Sequence, residues 1–154
     1  VLHESAKQPQ NNSKVSVNLF VENSGSMFGY ISLGNEFDRV ISSLMTQVDI
    51  SDFASEQSRL FYINSDVFLQ KDVSLQSFIK NLTVHNANTY KGDLSETSFT
   101  KLFDLVLKNT KDNAVSIFVS DCIFSVGNND ASQYIGSEKD GVTQRFAQEL
   151  KKRN

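Results

Sequence analysis

Val15-Ser16-Val17-Asn18-Leu19-Phe20-Val21 is the stretch that most constrains the fold. Val15, Val17, Leu19 and Val21 alternate with the two-residue period of a strand, and Phe20 puts a ring on the opposite face. A strand apolar on both faces must be covered on both. That is the situation of a central strand in a parallel sheet with helices above and below. Val115 to Val119 has the same character near the other end of the chain.

The segments between and after these strands carry the helical period. Phe37, Val40, Ile41, Leu44, Met45 and Val48 recur at helical spacing, as do Phe99, Leu102, Phe103, Val106 and Leu107. Leu75, Phe78, Ile79 and Leu82 predict a shorter helix with Ser74 as its N-cap. Leu60–Ile63 and Val67–Leu69, joined by Asn64-Ser65-Asp66, predict a hairpin. A polar loop from Gly127 to Asp140 is expected before a last helix that turns Val142, Phe146 and Leu150 inward. Strands alternating with helices predict an α/β fold. Specifically, the expectation is a Rossmann-like three-layer α/β/α sandwich whose mostly parallel sheet carries one short antiparallel strand.

The 154 residues suffice for one domain with a sizeable core, assigned to residues 15–154. Residues 1–14 are nearly devoid of apolar side chains beyond Val1 and Leu2 and read as a flexible leader of the kind that follows a removed signal or a lipid anchor. This tilts the expected location slightly toward the cell envelope or the outside. A net charge of −3 gives no electrostatic footprint for nucleic acid, and no run approaches the roughly 18–20 apolar residues of a membrane span. Cys122 is the single cysteine, so an internal disulfide is excluded, and its apolar flanks suggest a buried thiol.

Two polar clusters fall where the strands end. The first is Glu22-Asn23-Ser24-Gly25-Ser26-Met27, and the second is Ser120-Asp121. In open α/β sheets ligands bind beyond the carboxyl ends of strands, at the point where strand order reverses. Acids and hydroxyls leaving a buried strand are hard oxygen donors, suited to Mg²⁺, Mn²⁺ or Ca²⁺ and not to zinc. The same Ser24-Gly25-Ser26 can also be read as a strand-to-helix turn whose hydroxyls satisfy loose amides. Enzyme readings are weaker. Ser-Gly-Ser is no nucleophile elbow, and Gly25, Gly29 and Gly34 do not have the spacing of a phosphate-binding loop. His85 has no visible partner in the sequence.

The acid-x-Ser-Gly-Ser run resembles the first motif of the von Willebrand factor A family, Asp-x-Ser-Gly-Ser, which builds the metal-ion-dependent adhesion site. Ser24 and Ser26 match, and Glu22 stands in place of the family's Asp. Ile117-Phe118-Val119-Ser120-Asp121 resembles the family's later strand and aspartate, with Ser120 for Thr and Cys122 for Gly. The remaining donor of the family is a threonine before a helix. Thr97 is the first choice for it and Thr89 the second.

The resemblance implies metal contacts from Ser24 and Ser26, with Glu22, Asp121 and Thr97 completing the shell. It implies Mg²⁺ or a similar ion, or no metal at all if the longer Glu22 has ended its use. The implied function is protein–protein recognition or adhesion, without catalysis, in which the cation takes an acidic side chain of a partner. The family also carries further strands beyond the last helix. Without them the strand around Val115–Val119 would be a sheet edge, to be covered by a further segment or another subunit. Two alternatives stay open: a metal-free scaffold within a larger assembly and, less strongly, a divalent-metal hydrolase.

Overall fold

The computed structural model describes residues 14–31, 34–51, 54, 58–82, 92–94, 98–123 and 131–153. The expected leader, apart from Lys14, lies outside them. Strand β1 (Ser16–Glu22) is followed by a 3-10 turn (Gly25–Gly29) and helix α1 (Glu36–Asp49). Strands β2 (Arg59–Ile63) and β3 (Val67–Leu69) form the hairpin, and α2 (Leu75–Lys80) follows. Then come α3 (Phe99–Asn109), β4 (Ala114–Val119) and α4 (Ala131–Arg153).

The sheet order is β3-β2-β1-β4. Strand β1 runs parallel to both neighbours, with Leu19 level with Leu60 on one side and Ile117 on the other. Only β2–β3 is antiparallel, with Tyr62 opposite Phe68. The fold is therefore α/β with a mostly parallel mixed sheet, as the strand patterns predicted.

Period-two alternation divides the core into two layers. Val17, Leu19 and Val21 point to one face and meet Ile41, Met45 and Val48 of α1 and Phe78 of α2. Phe20 points to the other, with Phe61, Ile63 and α3's Leu102 and Val106. Phe20 and Phe61 stack with ring centroids 4.5 Å apart and planes 6° from parallel, cementing β1 to β2. Phe20 is fully buried, so truncation to Ala would cost about 3–5 kcal/mol.

Local chemistry sets the helix starts. Asn35 accepts from the Asp38 amide, Ser74 from Ser77, and Ser98 from Lys101. Ser74 is thus the cap that its position predicted. At α3 the cap is Ser98, one residue beyond Thr97, which lies outside the described residues.

Three details differ from the sequence expectations. Val40 and Leu44 of α1 are exposed, because the buried stripe narrows to Ile41, Met45 and Val48. The last helix begins at Ala131, inside the stretch expected to be a loop. Its Phe146 and Leu150 also stay 45% and 60% exposed. The helix lies against α3, with Phe146 5.3 Å from Phe103, and this single-sided contact covers only part of its apolar face.

Strand β4 has one neighbour and forms an edge of the described sheet, with Val115 46% exposed. No helix among the described residues is long and apolar enough to cross a membrane.

Candidate metal centre

Strand order reverses at β1: the chain moves outward through β2 and β3, then returns to place β4 on β1's other side. The carboxyl end of β1 is therefore the switch point of the sheet, where a parallel fold leaves a crevice between diverging connections. Glu22 is the last residue of β1, and Ser24 and Ser26 follow directly. Val21 is level with Val119, so Ser120 and Asp121 leave the adjacent strand at the same height. The two clusters singled out in the sequence thus occupy neighbouring strand ends.

Glu22 is fully buried and Ser24 nearly so. Ser24 Oγ donates to Glu22 Oε1 at 2.5 Å, and the hydroxyls of Ser24 and Ser26 stand 3.2 Å apart. Because Ser24 gives its only proton to Glu22, the bond between the serines takes its proton from Ser26. That leaves lone pairs on both hydroxyl oxygens. The 3-10 turn that begins at Gly25 is what brings the two serines onto one side.

On the other strand end, Asp121 Oδ1 accepts from the Ile123 amide at 2.9 Å, and Ser120 Oγ from the Cys122 amide at 2.9 Å. These short side-chain-to-backbone bonds shape the turn. Asp121 Oδ2 is buried and meets no hydrogen-bond partner among the described residues. Cys122 is exposed and adopts the left-handed conformation, φ +56°. This corrects the expectation of a buried thiol: the turn after Val119 swings the side chain outward.

A second set of residues, not singled out in the sequence, builds the floor of the same end of the sheet. Asn23 and Asn64 are buried and joined, Asn64 Nδ2 donating to Asn23 Oδ1 at 3.0 Å. The Asn23 amide bonds Ile63 O at 3.1 Å, extending the β1–β2 ladder past Glu22. Residues 92–94 strap across these ends. The Asp93 amide donates to Ser65 Oγ at 2.8 Å, and the Gly25 amide to Leu94 O at 2.9 Å. A Cβ on Gly25 would lie 3.3 Å from that carbonyl, so the central glycine of Ser-Gly-Ser permits the close approach. Asn64 was legible only as a turn residue, and nothing in the sequence pairs it with Asn23.

Met27, Phe28 and Tyr30 follow the serines. Met27 is fully buried in the core and Phe28 packs against it, while Tyr30 is 45% exposed. Thr97 and Thr89, the two choices for the remaining donor, lie outside the described residues, as does His85.

The donor types are those a small hard cation takes. Cis ligands of an octahedral Mg²⁺ at about 2.1 Å stand about 3 Å from one another, close to the spacing of the two serine oxygens. All the side chains concerned offer oxygen. Among the described residues no group of three or more His, Cys, Asp or Glu side chains is gathered to hold a metal. The candidate donors are the Glu22 carboxylate with the Ser24 and Ser26 hydroxyls on one strand end and the Asp121 carboxylate on the next. A groove of about 460 Å³ between α1 and α2 is lined by Ser42, Thr46, Leu75 and Ile79 and includes none of these four residues.

No model of a known protein family matches the chain, and no curated protein matches it.

Proposed function

We propose that the chain is a recognition module of the von Willebrand factor A type, which engages a protein partner through a divalent cation held at the carboxyl end of β1. The observation that carries this reading is the Glu22–Ser24–Ser26 constellation at the switch point: a buried carboxylate orients one hydroxyl, and a second hydroxyl lies 3.2 Å from the first. Two further features support it. The sheet is mostly parallel with one antiparallel strand, as the resemblance implies. Cys122, which stands where the family has glycine, takes a left-handed conformation of the sort glycine favours.

In this reading Ser24 and Ser26 hold the ion directly, Asp121 acts through water, and Glu22 binds directly or by way of Ser24. Thr97, or Thr89, adds the remaining donor. The cation supplies a positive charge for an acidic side chain of the partner. In this reading the outer edge of β4, where Val115 is exposed, is covered by a further segment or by another subunit.

One observation favours a second reading, a metal-free scaffold. The Ser24 hydroxyl is already satisfied by Glu22 and Ser26 without a cation. Isothermal titration of Mg²⁺ and Mn²⁺ into chelator-treated protein separates the two. Saturable binding that disappears in Ser26→Ala is the expected result. Heat-silent titration up to millimolar metal would favour the scaffold.

A further inference from the structure

Ser24 stands between two residues that are both held from outside its own strand. On one side, the Asn23 amide donates to Ile63 O at 3.1 Å, and Asn23 Oδ1 accepts from Asn64 Nδ2 at 3.0 Å. On the other, the Gly25 amide donates to Leu94 O at 2.9 Å. Asn23 is fully buried and Asn64 is 4% exposed, so water does not compete for the bond between them.

Asn64 serves both sides. Its Oδ1 accepts from the Ser65 hydroxyl at 3.2 Å and the Asp66 amide at 3.4 Å, which orients the carboxamide so that Nδ2 faces Asn23. Its backbone amide closes the turn on Asp66 O at 3.0 Å. Gly92 lies against the same carboxamide, and a Cβ there would fall 2.1 Å from Oδ1, so only glycine passes this close. The next residue, Asp93, gives its amide to Ser65 Oγ at 2.8 Å. Leu94 follows, and its carbonyl holds Gly25. The contacts thus run in a ring from Asn23 through Asn64, Gly92, Leu94 and Gly25, and Ser24 closes it. Ser26 follows in the 3-10 turn that starts at Gly25, so the place of Gly25 sets where the second hydroxyl stands.

We infer that Asn64 is a positioning residue for the cation site: from the turn after β2 it holds Asn23 and seats residues 92–94, and so fixes the 3.2 Å spacing of the Ser24 and Ser26 hydroxyls. The role deepens the proposed function and rests on it. The Asn64 side chain bonds to Asn23, Ser65 and Asp66, none of them a candidate donor, so it acts on the site through the backbone. Asn64→Ala releases Asn23 and residues 92–94 together. Mg²⁺ affinity should then fall about tenfold or more, the scale on which groups behind the direct ligands act.

The test is calorimetric Mg²⁺ titration of wild type, Asn64→Ala, Asn23→Ser, the double variant and Val48→Ala. Asn23→Ser opens the same bond from its other side and keeps a hydroxyl in the buried position, so it carries the test if Asn64→Ala does not fold. Val48→Ala loosens the core beneath α1, outside the ring, and controls for general stability. Thermal melts without metal accompany each titration, and amide exchange at Asn23 and Gly25 reports the ring directly. The expected result is weakened binding in both single variants with faster exchange at Gly25, a double variant no weaker than the weaker single one, and unchanged affinity in Val48→Ala. Unchanged Mg²⁺ affinity in folded Asn64→Ala or Asn23→Ser would overturn the inference while leaving the cation site standing. Losses that multiply in the double variant would overturn it too, because the two residues would then act separately. So would equal loss in Val48→Ala, since affinity would follow stability alone. A wild-type protein that binds no Mg²⁺ removes both the inference and the reading beneath it.

Discussion

Ser24 gives its hydroxyl proton to Glu22 across 2.5 Å, inside the protein and two residues along the same strand end. A fully buried carboxylate is costly unless it is met by donors, and here the motif's own first serine is one of them. The longer acid thus reaches the first serine of the motif and orients its hydroxyl. Glu22→Gln keeps the shape and one acceptor but removes the charge. Under the proposed function, the expected outcome is a folded protein whose Mg²⁺ affinity falls roughly tenfold or more, since orientation and charge would both serve the ion. Replacing a buried charge with an isosteric amide can be neutral for stability, so the melt without metal should shift little. Melts with and without Mg²⁺ check both halves. Unaltered metal binding in the variant would remove Glu22 from the site.

Cys122 holds φ at +56° with its side chain in solvent. The left-handed region costs an L-residue about 1–2 kcal/mol, and glycine returns part of that gain through a freer unfolded chain. Cys122→Gly should therefore stabilise the fold by about 0.5–1 kcal/mol. It should leave Asp121 in place, because the bond from the Cys122 amide to Ser120 Oγ needs no side chain at 122. Urea denaturation of the two proteins gives the difference directly, and a destabilised variant would mean that the thiol makes a contact of its own.

The layers of this fold were legible because they rest on period. Alternation in Val17, Leu19 and Val21 against Phe20 fixed which faces need cover, and the hairpin was marked by Asn64-Ser65-Asp66. The Glu22, Ser24 and Ser26 cluster was legible because an acid and two hydroxyls directly after a buried strand are conspicuous. What could not be read were the partners at a distance. Asn23 with Asn64 are 41 residues apart, and Ser98 with Glu138 are 40 apart, and neither pair has a local pattern. The last helix was misjudged for the same reason. Its polar first half resembles a loop, and its exposed Phe146 and Leu150 follow from a one-sided contact that no period reveals.

Gly92 has φ +123° and lies against Asn64, where an added Cβ would come within 2.1 Å of Oδ1. The clash falls on a side chain already committed to Asn23, so relief by rotation would break a buried hydrogen bond. Gly92→Ala is therefore expected to destabilise by about 2 kcal/mol or more, combining backbone strain with a lost buried pair. Asn64→Ala removes the obstacle, so the double variant should lose less than the sum of the two single ones, a coupling that a double-mutant cycle measures. Strict additivity would show that the strap and the Asn23–Asn64 pair are independent.

Asp104 on α3 lies 2.6 Å from Lys108 Nζ and 3.8 Å from Arg145 on α4. The hydrogen bond from Lys108 is the main cause holding its carboxyl below the usual range, with the charges of Lys108, Arg145 and Lys152 adding and partial burial opposing. A folded-state pKa below the unfolded one means that the charged form favours the fold. The contribution is therefore present above the ordinary carboxylate value near 4 and is lost as pH falls through the lower folded value. The pairs are near the surface, with Lys108 68% exposed, so the contribution is only a few tenths of a kcal/mol and is reduced by salt. Asp104→Asn should be slightly less stable than wild type at pH 7 in low salt. The gap should close in about 1 M salt, and close again well below pH 4. Paired denaturation curves across pH and salt test this, and a gap that persists at low pH would assign the effect to packing of the side chain instead of its charge.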